Sequence, residues 1–453
     1  MSPVVRVARR TFSSLSVPNY RLYFFGQIVS MSGTWIQSVA QMWLVYQITG
    51  SGVALGVVTA LQFTPVLVAG MWGGIVADRF DKRKILMATQ SAAALLAALL
   101  GILTAFEIVE LWMIYVLAFA LGSVSVIEVP TRQSFVIEMV GEDQLSNAIG
   151  LNSTVFTSAR VIGPAIAGVL IAGVGLAWCF LINAVSFAAV IVSLTKMNAA
   201  ELHGGEPVER SKGQLREGLR YVWNTPILRT SLLMMAIIGT IAFNFRILLP
   251  VMAEEEFGGG AGTYGALSAV MGVGTVLGAL FVASRKYPTR KTLIYSAMAY
   301  GVLIVIAGLA PNVSLEMIAL VPMGAAGIAF VATANSTLQL NAKESMRGRV
   351  MALYSVVFLG STPIGSPIVG WIGETFGVRA GFLISGFACL LASAYAIDVV
   401  RKERLARAEA YDSVVVETEE TEAVTPDDPA PAGFGGTYPV RKLRAAVRMA
   451  TRR

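Results

Sequence analysis

The sequence has little charge and very few of the side chains that soluble enzymes use for catalysis. Of its 453 residues, 14% are charged, one is histidine and two are cysteine, whereas 55% are hydrophobic. The mean hydropathy of +0.67 is far above that of an ordinary soluble domain. This composition excludes a soluble globular protein and predicts a chain that folds in a lipid bilayer.

The scarcity of reactive side chains excludes further classes of function. His203 lies in a polar connection, so no catalytic residues are assigned and the chain is not expected to be an enzyme. Cys179 and Cys389 lie in apolar segments, which indicates neither a disulfide framework nor a metal site, and no cofactor is expected. The nucleotide-binding pattern Gly-x-x-x-x-Gly-Lys-Ser/Thr does not occur, which excludes a nucleotide-driven primary pump.

What the sequence has instead is a series of long apolar runs between residues 22 and 400. A helix needs about 20 apolar residues to cross hydrocarbon about 30 Å thick. Because the runs are continuous rather than alternating, they predict helices and not the strands of a membrane barrel. We predict twelve transmembrane helices, at 22–48, 54–76, 85–106, 111–130, 147–172, 176–196, 227–250, 262–284, 292–310, 315–338, 350–372 and 380–400.

Basic residues are concentrated on one side of this topology. The connections on the other side contain a single basic residue, Arg379, among many acids: Glu107, Glu110, Glu254 to Glu256, Glu316 and Glu374. Since Lys and Arg are retained in the cytoplasm, both termini are predicted to be cytoplasmic in a multi-pass protein of the cell membrane. The net charge of +7 is explained by this asymmetry, so no nucleic-acid partner is expected.

The predicted helices fall into two sets of six. Ile162-Gly163 and Gly168 match Ile364-Gly365 and Gly370 at a shift of 202 in the same direction. The fold class is therefore an all-α membrane protein of two parallel six-helix pseudo-repeats around a central cavity; chance similarity of glycine-rich helices is the alternative. The predicted organisation is an N-terminal segment 1–21, a bundle 22–196, a cytoplasmic loop 197–226 with a surface helix near 214–223, a bundle 227–400 and a disordered tail 401–453.

A conspicuous motif stands between the second and third predicted helices. It contains Gly74, Asp78-Arg79 and, after Asp81, the basic triplet that includes Arg83. It resembles the signature loop of the major facilitator superfamily, although that family usually has Gly where Asp81 stands. The resemblance implies a conformational gate in which Asp78 accepts from backbone donors of a facing helix and the basic residues pair with acids. For the triplet, positive-inside topology alone is an alternative.

The end of the fourth predicted helix carries Glu128-Val-Pro130-Thr-Arg132. Together with the segments around Phe135 and Asn147, it resembles the drug- and siderophore-exporting branch of the superfamily, which includes enterobactin exporters and tetracycline-type pumps. Glu128 is either a gate partner, for Arg79 or Arg83, or the residue that carries a coupling proton. Arg132 is assigned to the gate.

In the fifth predicted helix, Gly163-Pro164 and Gly168 resemble the glycine-proline motif of drug antiporters. Proline removes a backbone donor and favours a bend, while glycines allow close helix packing. Ordinary packing is the alternative.

Polar side chains inside the spans supply candidates for the substrate cavity. Arg160 and Arg246 are costly in lipid and lack an acid at the same depth, which favours water or an anionic or electron-rich substrate as partner; helix-end carbonyls or gate acids are the alternative. Along the first helix, polar residues share one face, which lines either the cavity or a helix seam. The cavity candidates are Gln27, Thr34, Trp35, Gln37, Gln41, Asn152, Arg160, Arg246, Tyr264 and Asn335.

These observations predict a secondary transporter that exports a small molecule and is driven by protons or another coupling ion. The predicted direction of transport depends on the resemblance. An importer of the same fold and a transport-inactive membrane sensor are the alternatives. The expected partners are a small-molecule substrate, the coupling ion and the lipid bilayer. The protein is expected to be a monomer.

Overall fold

The computed structural model describes residues 12–203, 214–284 and 289–423. In these ranges the chain is helical and contains no strand. Its thirteen α-helices are α1 (Pro18–Thr49), α2 (Gly52–Arg79), α3 (Lys82–Ala105), α4 (Leu111–Gly173), α5 (Leu176–Lys196), α6 (Gln214–Asn224), α7 (Pro226–Ile241), α8 (Phe245–Val251), α9 (Gly260–Ala283), α10 (Arg290–Gly308), α11 (Val313–Asn341), α12 (Glu344–Phe376) and α13 (Val378–Ala423).

The helices of the described chain account for all twelve predicted spans. Ten segments of the described chain are long and apolar enough to cross a membrane. One of them, the 63-residue α4, contains two spans, because its backbone leaves the helical conformation at Gly141 (φ 68°, ψ 178°). The polar stripe of α1 makes it less apolar than these segments, and with α1 the total is twelve. The all-α, twelve-helix prediction is confirmed.

The central loop and the C-terminal tail can be compared with their predicted structures. The expected surface helix of the central loop is present as α6, and residues 204–213 lie outside the described part. The expected disorder from residue 401 is wrong as far as Ala423, where α13 ends. Good helix formers and pairs four residues apart, such as Asp398 and Lys402 at 2.7 Å, stabilise this extension. The chain divides into two compact units at Ile397 and Asp398, and residues 424–453 are not described.

Two helix seams join the halves of the first unit. In one seam α2 packs against α12, and in the other α4 packs against α9. Glycines bring the backbones close: a Cβ at Gly265 would lie 2.7 Å from the Cα of Gly168, and one at Gly52 would lie 2.8 Å from the carbonyl oxygen of Gly370. Gly168 and Gly370, which the internal repeat relates, thus occupy equivalent seams.

The second pair of repeat-related glycines also has equivalent surroundings. Gly163 of α4 lies against Trp35 of α1, whereas Gly365 of α12 lies against Thr240 of α7. The first helix of each half therefore packs on the fifth helix of the same half. This agreement in three dimensions confirms the parallel repeat seen in the sequence.

The two ends of the bundle differ in charge, and we name them accordingly. Glu107, Glu255 and Glu374 lie at the acidic end, and Arg83 and Arg349 lie at the basic end. At the basic end of the first half, a buried aromatic and aliphatic cluster fixes α1, α4 and α5 to one another; it includes Tyr20, Tyr23, Phe135, Met139 and Leu194.

Candidate substrate cavity and gates

A cavity of about 440 Å³ lies between the two halves. Helices of both halves line it, among them α1, α2 and α4 from the first and α7 to α12 from the second. Aromatic side chains form much of its wall: Trp35, Phe63, Phe156, Phe243, Tyr264, Tyr300 and Phe358. A cavity shared by both halves can be exposed to one side and then the other if the halves move.

A larger groove, of about 950 Å³, lies entirely within the second half, between α9, α10 and α11. Its described lining is mostly apolar and includes no charged side chain, with residues such as Leu277, Phe281 and Tyr295. Because one half alone forms this groove, movement between the halves does not by itself alternate its exposure. The central cavity is therefore the candidate substrate site.

Arg160 of α4 projects into the central cavity. Its guanidinium carbon lies 5.8 Å from the centroid of the Trp35 ring, in the range of a cation–π contact. Trp35 in turn makes an edge-to-face contact with Phe156, at 5.9 Å between centroids. The prediction that Arg160 and Trp35 face the cavity agrees with this placement.

Arg246 enters the cavity from a break in the seventh span. The span is interrupted between α7 and α8, where Asn244 precedes α8 and donates to the carbonyl oxygen of Thr240 at 2.7 Å. Ser366 of α12 donates to the Asn244 amide oxygen at 2.9 Å. A helix interruption is tolerated at membrane depth where polar partners and a cavity are available, and this one directs Arg246 inward.

The polar bonding of Arg246 is incomplete. One terminal nitrogen donates to the hydroxyl of Ser38 on α1, in the other half of the protein. Its Nε is buried and has no hydrogen-bond partner. Among the described residues lining the cavity there is no Asp or Glu, so the cavity contains two positive charges without an acidic counterpart.

The polar stripe of α1 lies mainly in a helix seam. Gln37 is buried, and its amide oxygen accepts from Asn183 of α5 at 2.6 Å. Gln27 and Gln41 are each 4% exposed, while the hydroxyl of Thr34 donates to the Ser30 carbonyl of the same helix. None of these four lines the central cavity. The three glutamines are buried as the seam alternative requires, whereas Thr34 is exposed. Helical periodicity identified the shared face, but not the helix that covers it.

The remaining cavity candidates divide in the same way. Tyr264 of α9 lines the cavity and stacks on Trp43 across the interface of the halves, with centroids 6.3 Å apart. Asn152 accepts from the Tyr20 hydroxyl at 3.2 Å, and Asn335 accepts from Gln339 at 2.5 Å. Asn152 and Asn335 do not line the central cavity.

At the acidic end, polar contacts join the two halves. Glu374 at the end of α12 accepts from the Ser51 hydroxyl at 2.5 Å and from the Val53 amide at 3.0 Å. Ser51 and Val53 form the beginning of α2, where free backbone donors and the helix dipole favour a carboxylate. In addition, Tyr46 of α1 donates to Glu255 at 3.1 Å. These contacts close the acidic end, and we call them the acidic-end latch.

At the basic end, the described ion pairs stay within one half. Lys82 and Glu138 lie 2.5 Å apart in the first half. Arg349 of the second half lies 2.6 Å from Glu217 of α6, the connecting helix that packs on α7 and α12 of that same half. The halves are thus held together by polar contacts at one end and not by these pairs at the other.

The gate residues predicted from the sequence are arranged differently from expectation. Glu128 pairs with Arg132 at 2.8 Å, because residues four apart share a helix face. Arg83 donates to the carbonyl oxygens of Leu194 and Thr195 in the last turn of α5, where the helix dipole favours a cation. A pair between Glu128 and Arg83 is therefore wrong for this state.

The remaining residues of the predicted gate are Arg79, Gly74 and Asp78. Arg79 is exposed at the end of α2, and among the described residues Glu128 forms its ion pair with Arg132 and not with Arg79. Gly74 is buried. The side chain of Asp78 lies outside the described part, so its contact with a facing helix stays a prediction.

The helix bend predicted at Pro164 is not visible as a break. The chain remains α-helical through Gly163, Pro164 and Gly168, and the interruption of α4 occurs at Gly141. Glycine reaches a φ of 68° without the steric cost that a side chain imposes. A Cβ at Gly141 would lie 3.5 Å from Nε2 of His203, whose backbone amide donates to the Glu138 carbonyl.

One buried carboxyl was missed by the sequence analysis, which placed it in a connection. Glu316 lies in the first turn of α11 and is fully buried, and neither of its oxygens has a hydrogen-bond partner among the described residues. Arg379, the basic residue of the acidic end, donates to Glu256 at 2.7 Å and to the Gly308 carbonyl at 2.9 Å. The spacing of the buried residues Glu316, Ala319, Leu320 and Met323 is a helix-face pattern that could have revealed it.

No metal centre is apparent: within the described ranges, no three His, Cys, Asp or Glu side chains converge as a metal site requires. The twelve spans, the internal repeat and the shared cavity define a multi-span membrane transporter of the major facilitator type. The chain belongs to the family described as transmembrane secretion effector, whose model matches residues 9–427.

Relatives of known name cover most of the chain. It is 25% identical to the staphyloferrin A transporter of Staphylococcus aureus, over 85% of this chain and 97% of that one. It is also 25% identical to the multidrug efflux pump Tap of Mycolicibacterium fortuitum, over 85% and 96%. The enterobactin exporter EntS of Escherichia coli is 24% identical, over 83% and 90%. The family expected from the motifs is confirmed.

Solved structures show the same fold at lower identity. A bacterial homologue of the human lysosomal transporter Spinster, in an inward-facing conformation, superposes with a TM-score of 0.66 at 14% identity, covering 84% of this chain and 96% of that one. An inward-facing bacterial homologue of the iron transporter ferroportin gives a TM-score of 0.63 at 16% identity, covering 84% and 98%. These matches establish the architecture alone.

Proposed function

We propose that this protein exports small organic molecules across the cell membrane by proton antiport. The observation that carries the proposal is a cavity enclosed by both halves together with a closed acidic end. The relatives named as a multidrug efflux pump and as an enterobactin exporter match more than four fifths of the chain, which supports export over import.

The closed acidic end corresponds to one state of an alternating-access cycle. By the positive-inside rule the basic end faces the cytoplasm, so the structure is the state in which the outer side is shut. Opening the outer side requires the acidic-end latch to separate, while the pairs within each half move with their own half. The internal repeat provides the two units that rock against one another.

Proton coupling requires a carboxyl whose surroundings change during the cycle. Glu128 stays a candidate, since protonation would release Arg132 from its pair at the basic end. Glu316 at the acidic end is a second candidate, because a fully buried carboxyl without hydrogen bonds is costly in the charged form. We assign one proton to Glu316 in the closed state.

Everted membrane vesicles from an efflux-deficient bacterial host test this function. Vesicles that contain the chain and are acidified inside should accumulate at least one of staphyloferrin A, enterobactin and ethidium, and an uncoupler should abolish the accumulation. Vesicles of the same host without the chain are the control. Accumulation that persists unchanged after uncoupling contradicts proton antiport, and absence of accumulation across the panel contradicts export of these classes.

The two carboxyl candidates are separated by their pH profiles. Glu128→Gln or Glu316→Gln should flatten the dependence of transport on pH if that residue carries the proton. A variant that lowers transport equally at every pH instead has a structural role. Glu107→Gln is a matched control, because Glu107 is an exposed acid in an acidic-end connection.

A further inference from the structure

The central cavity has a charge balance that constrains its ligand. Arg160 and Arg246 enter it from different halves, and the cavity lining in the described chain contains no Asp or Glu to compensate them. An uncompensated charge at membrane depth costs at least a few kcal/mol. Because two such residues on separate helices lack an acid in the described lining, we expect the ligand to supply the anionic groups that balance them.

The hydrogen-bonding state of the two arginines leads to the same requirement. Arg246 uses one nitrogen on the Ser38 hydroxyl and leaves a buried Nε without a partner. Arg160 faces the Trp35 ring, and its guanidinium forms no ion pair with a described residue. A guanidinium has five donors in a planar fork that suits a carboxylate, so both groups retain donors for a ligand.

The remainder of the wall is aromatic and apolar. Trp35 and Phe156 lie beside Arg160, while Tyr264 and Tyr300 contribute from the second half. Such a wall binds a flat or apolar body and gains little from a small hydrated ion.

We propose that the cavity recognises organic anions with two acidic groups on an apolar or aromatic body, one acid pairing with Arg160 and the other with Arg246. This inference rests on the proposed function, because it names the substrate class of the same cavity. It also excludes a selective site for cations, which the two arginines would repel.

Binding to the purified full-length protein in detergent tests the proposal without requiring transport. The probes are naphthalene-2,6-dicarboxylate, its neutral diamide of similar shape, ethidium as a cation, and sulfate as a small inorganic dianion, measured by calorimetry at pH 7.5 and constant ionic strength. The dicarboxylate should bind at least about ten-fold more tightly than each of the others.

Variants identify the groups responsible. Arg160→Gln and Arg246→Gln should each weaken dicarboxylate binding about ten-fold and leave the diamide unchanged, whereas Arg160→Lys and Arg246→Lys should keep part of the preference. Arg220→Gln is the control, since Arg220 is an exposed arginine of α6 and its loss changes net charge equally. Thermal unfolding shows which variants fold; if the Gln variants do not, the Lys variants and the wild-type comparison decide.

Several results would overturn the proposal. Equal or tighter binding of the diamide, ethidium or sulfate contradicts an organic dianion site, and so do Gln variants that fold and keep wild-type affinity for the dicarboxylate. Failure of export is a separate outcome: a protein that binds the dicarboxylate as described but moves nothing in everted vesicles contradicts the proposed function and leaves the binding inference standing.

Discussion

The acidic and basic ends of the bundle use the same kinds of residues for different purposes. At the acidic end, Glu374 and Glu255 contact the opposite half of the protein. At the basic end, Glu138, Glu128 and Glu217 each pair with a cation of their own half. The acids at one end therefore hold the halves together, and those at the other hold each half in shape.

The two ends therefore differ in whether their contacts have to change during the transport cycle. Contacts between the halves must form and break in each cycle, so they should be individually modest, like the hydroxyl and backbone bonds of the acidic-end latch. Contacts within a half move with it and can be buried and strong. Variants of the two classes should accordingly change different measurements, the equilibrium between states in one case and stability in the other.

The largest effect is expected from Gly370→Leu in the seam between α2 and α12. The leucine would displace the backbone of Gly52 and Val53, and overpacking of this kind costs about 1–3 kcal/mol. Closure of the acidic end, and with it transport in everted vesicles, should fall to about a tenth or less. Gly348→Leu is the matched control for stability, because no atom lies within 4 Å of a Cβ at Gly348. Equal stability loss in both variants would show that the seam does not require glycine.

A smaller effect, on stability rather than on the equilibrium, is expected from Glu138→Gln. The side chains of Lys82 and Glu138 are only 14% and 15% exposed, and removal of one partner leaves the other charge without its pair. The cost should be about 1–2 kcal/mol, below that of a fully buried pair because both groups stay partly hydrated. Thermal unfolding in detergent should shift to lower temperature. The double variant Lys82→Met with Glu138→Leu should recover much of this loss, since no charge is left unpaired. A single variant as stable as wild type would contradict a structural role for the pair.

Glu374→Gln should shift the equilibrium and leave stability nearly unchanged. Gln retains an acceptor for Ser51 and Val53 but loses the charge that favours the beginning of α2, so the open fraction should rise about three- to five-fold. Labelling of Ser268→Cys in the cavity by an impermeant maleimide added at the acidic end measures this fraction; both native cysteines are buried. Glu107→Gln should not change the labelling rate. An unchanged rate in Glu374→Gln would mean that the acidic-end latch does not limit opening.

The smallest effect is expected from Glu217→Gln at the basic end. The Glu217 side chain is 61% exposed in its pair with Arg349, and exposed pairs contribute about 0–1 kcal/mol. Transport, labelling and thermal unfolding should all stay close to wild type. A clear loss of labelling from the acidic end would instead show that this pair takes part in closing the basic end.

Much of the fold could be predicted because it depends on local composition. Long apolar runs fix the helices, and the lipid thickness fixes their length, so predicted spans such as 176–196 agree with Leu176–Lys196. The repeat of Gly163 and Gly168 predicted two parallel halves, and the loop around Asp78 predicted the family. None of these steps requires knowledge of which helix faces which.

The site could be predicted only where a residue had few possible positions. Arg160 and Arg246 could not face lipid, because a charged side chain there has a high free-energy cost. That cost alone predicts their place in the cavity. Gln37 and Gln41 also had to be buried, but an amide side chain can be accommodated either in a helix seam or in a cavity. The sequence analysis assigned them to the cavity, whereas the structure places them outside it. The pairing of Glu128 with Arg132 rather than Arg83 likewise depended on helix packing.

That this is a helical membrane protein with twelve spans in two halves follows from the sequence alone, because hydrophobicity and repeats are properties of the chain. Which acids join the halves depends on the tertiary structure, and so does the burial of Glu316 without a hydrogen-bond partner among the described residues. The tertiary structure also brings two arginines into one cavity whose described lining contains no acid. Those features depend on contacts between residues up to about 320 positions apart, such as Ser51 and Glu374, which no local pattern records.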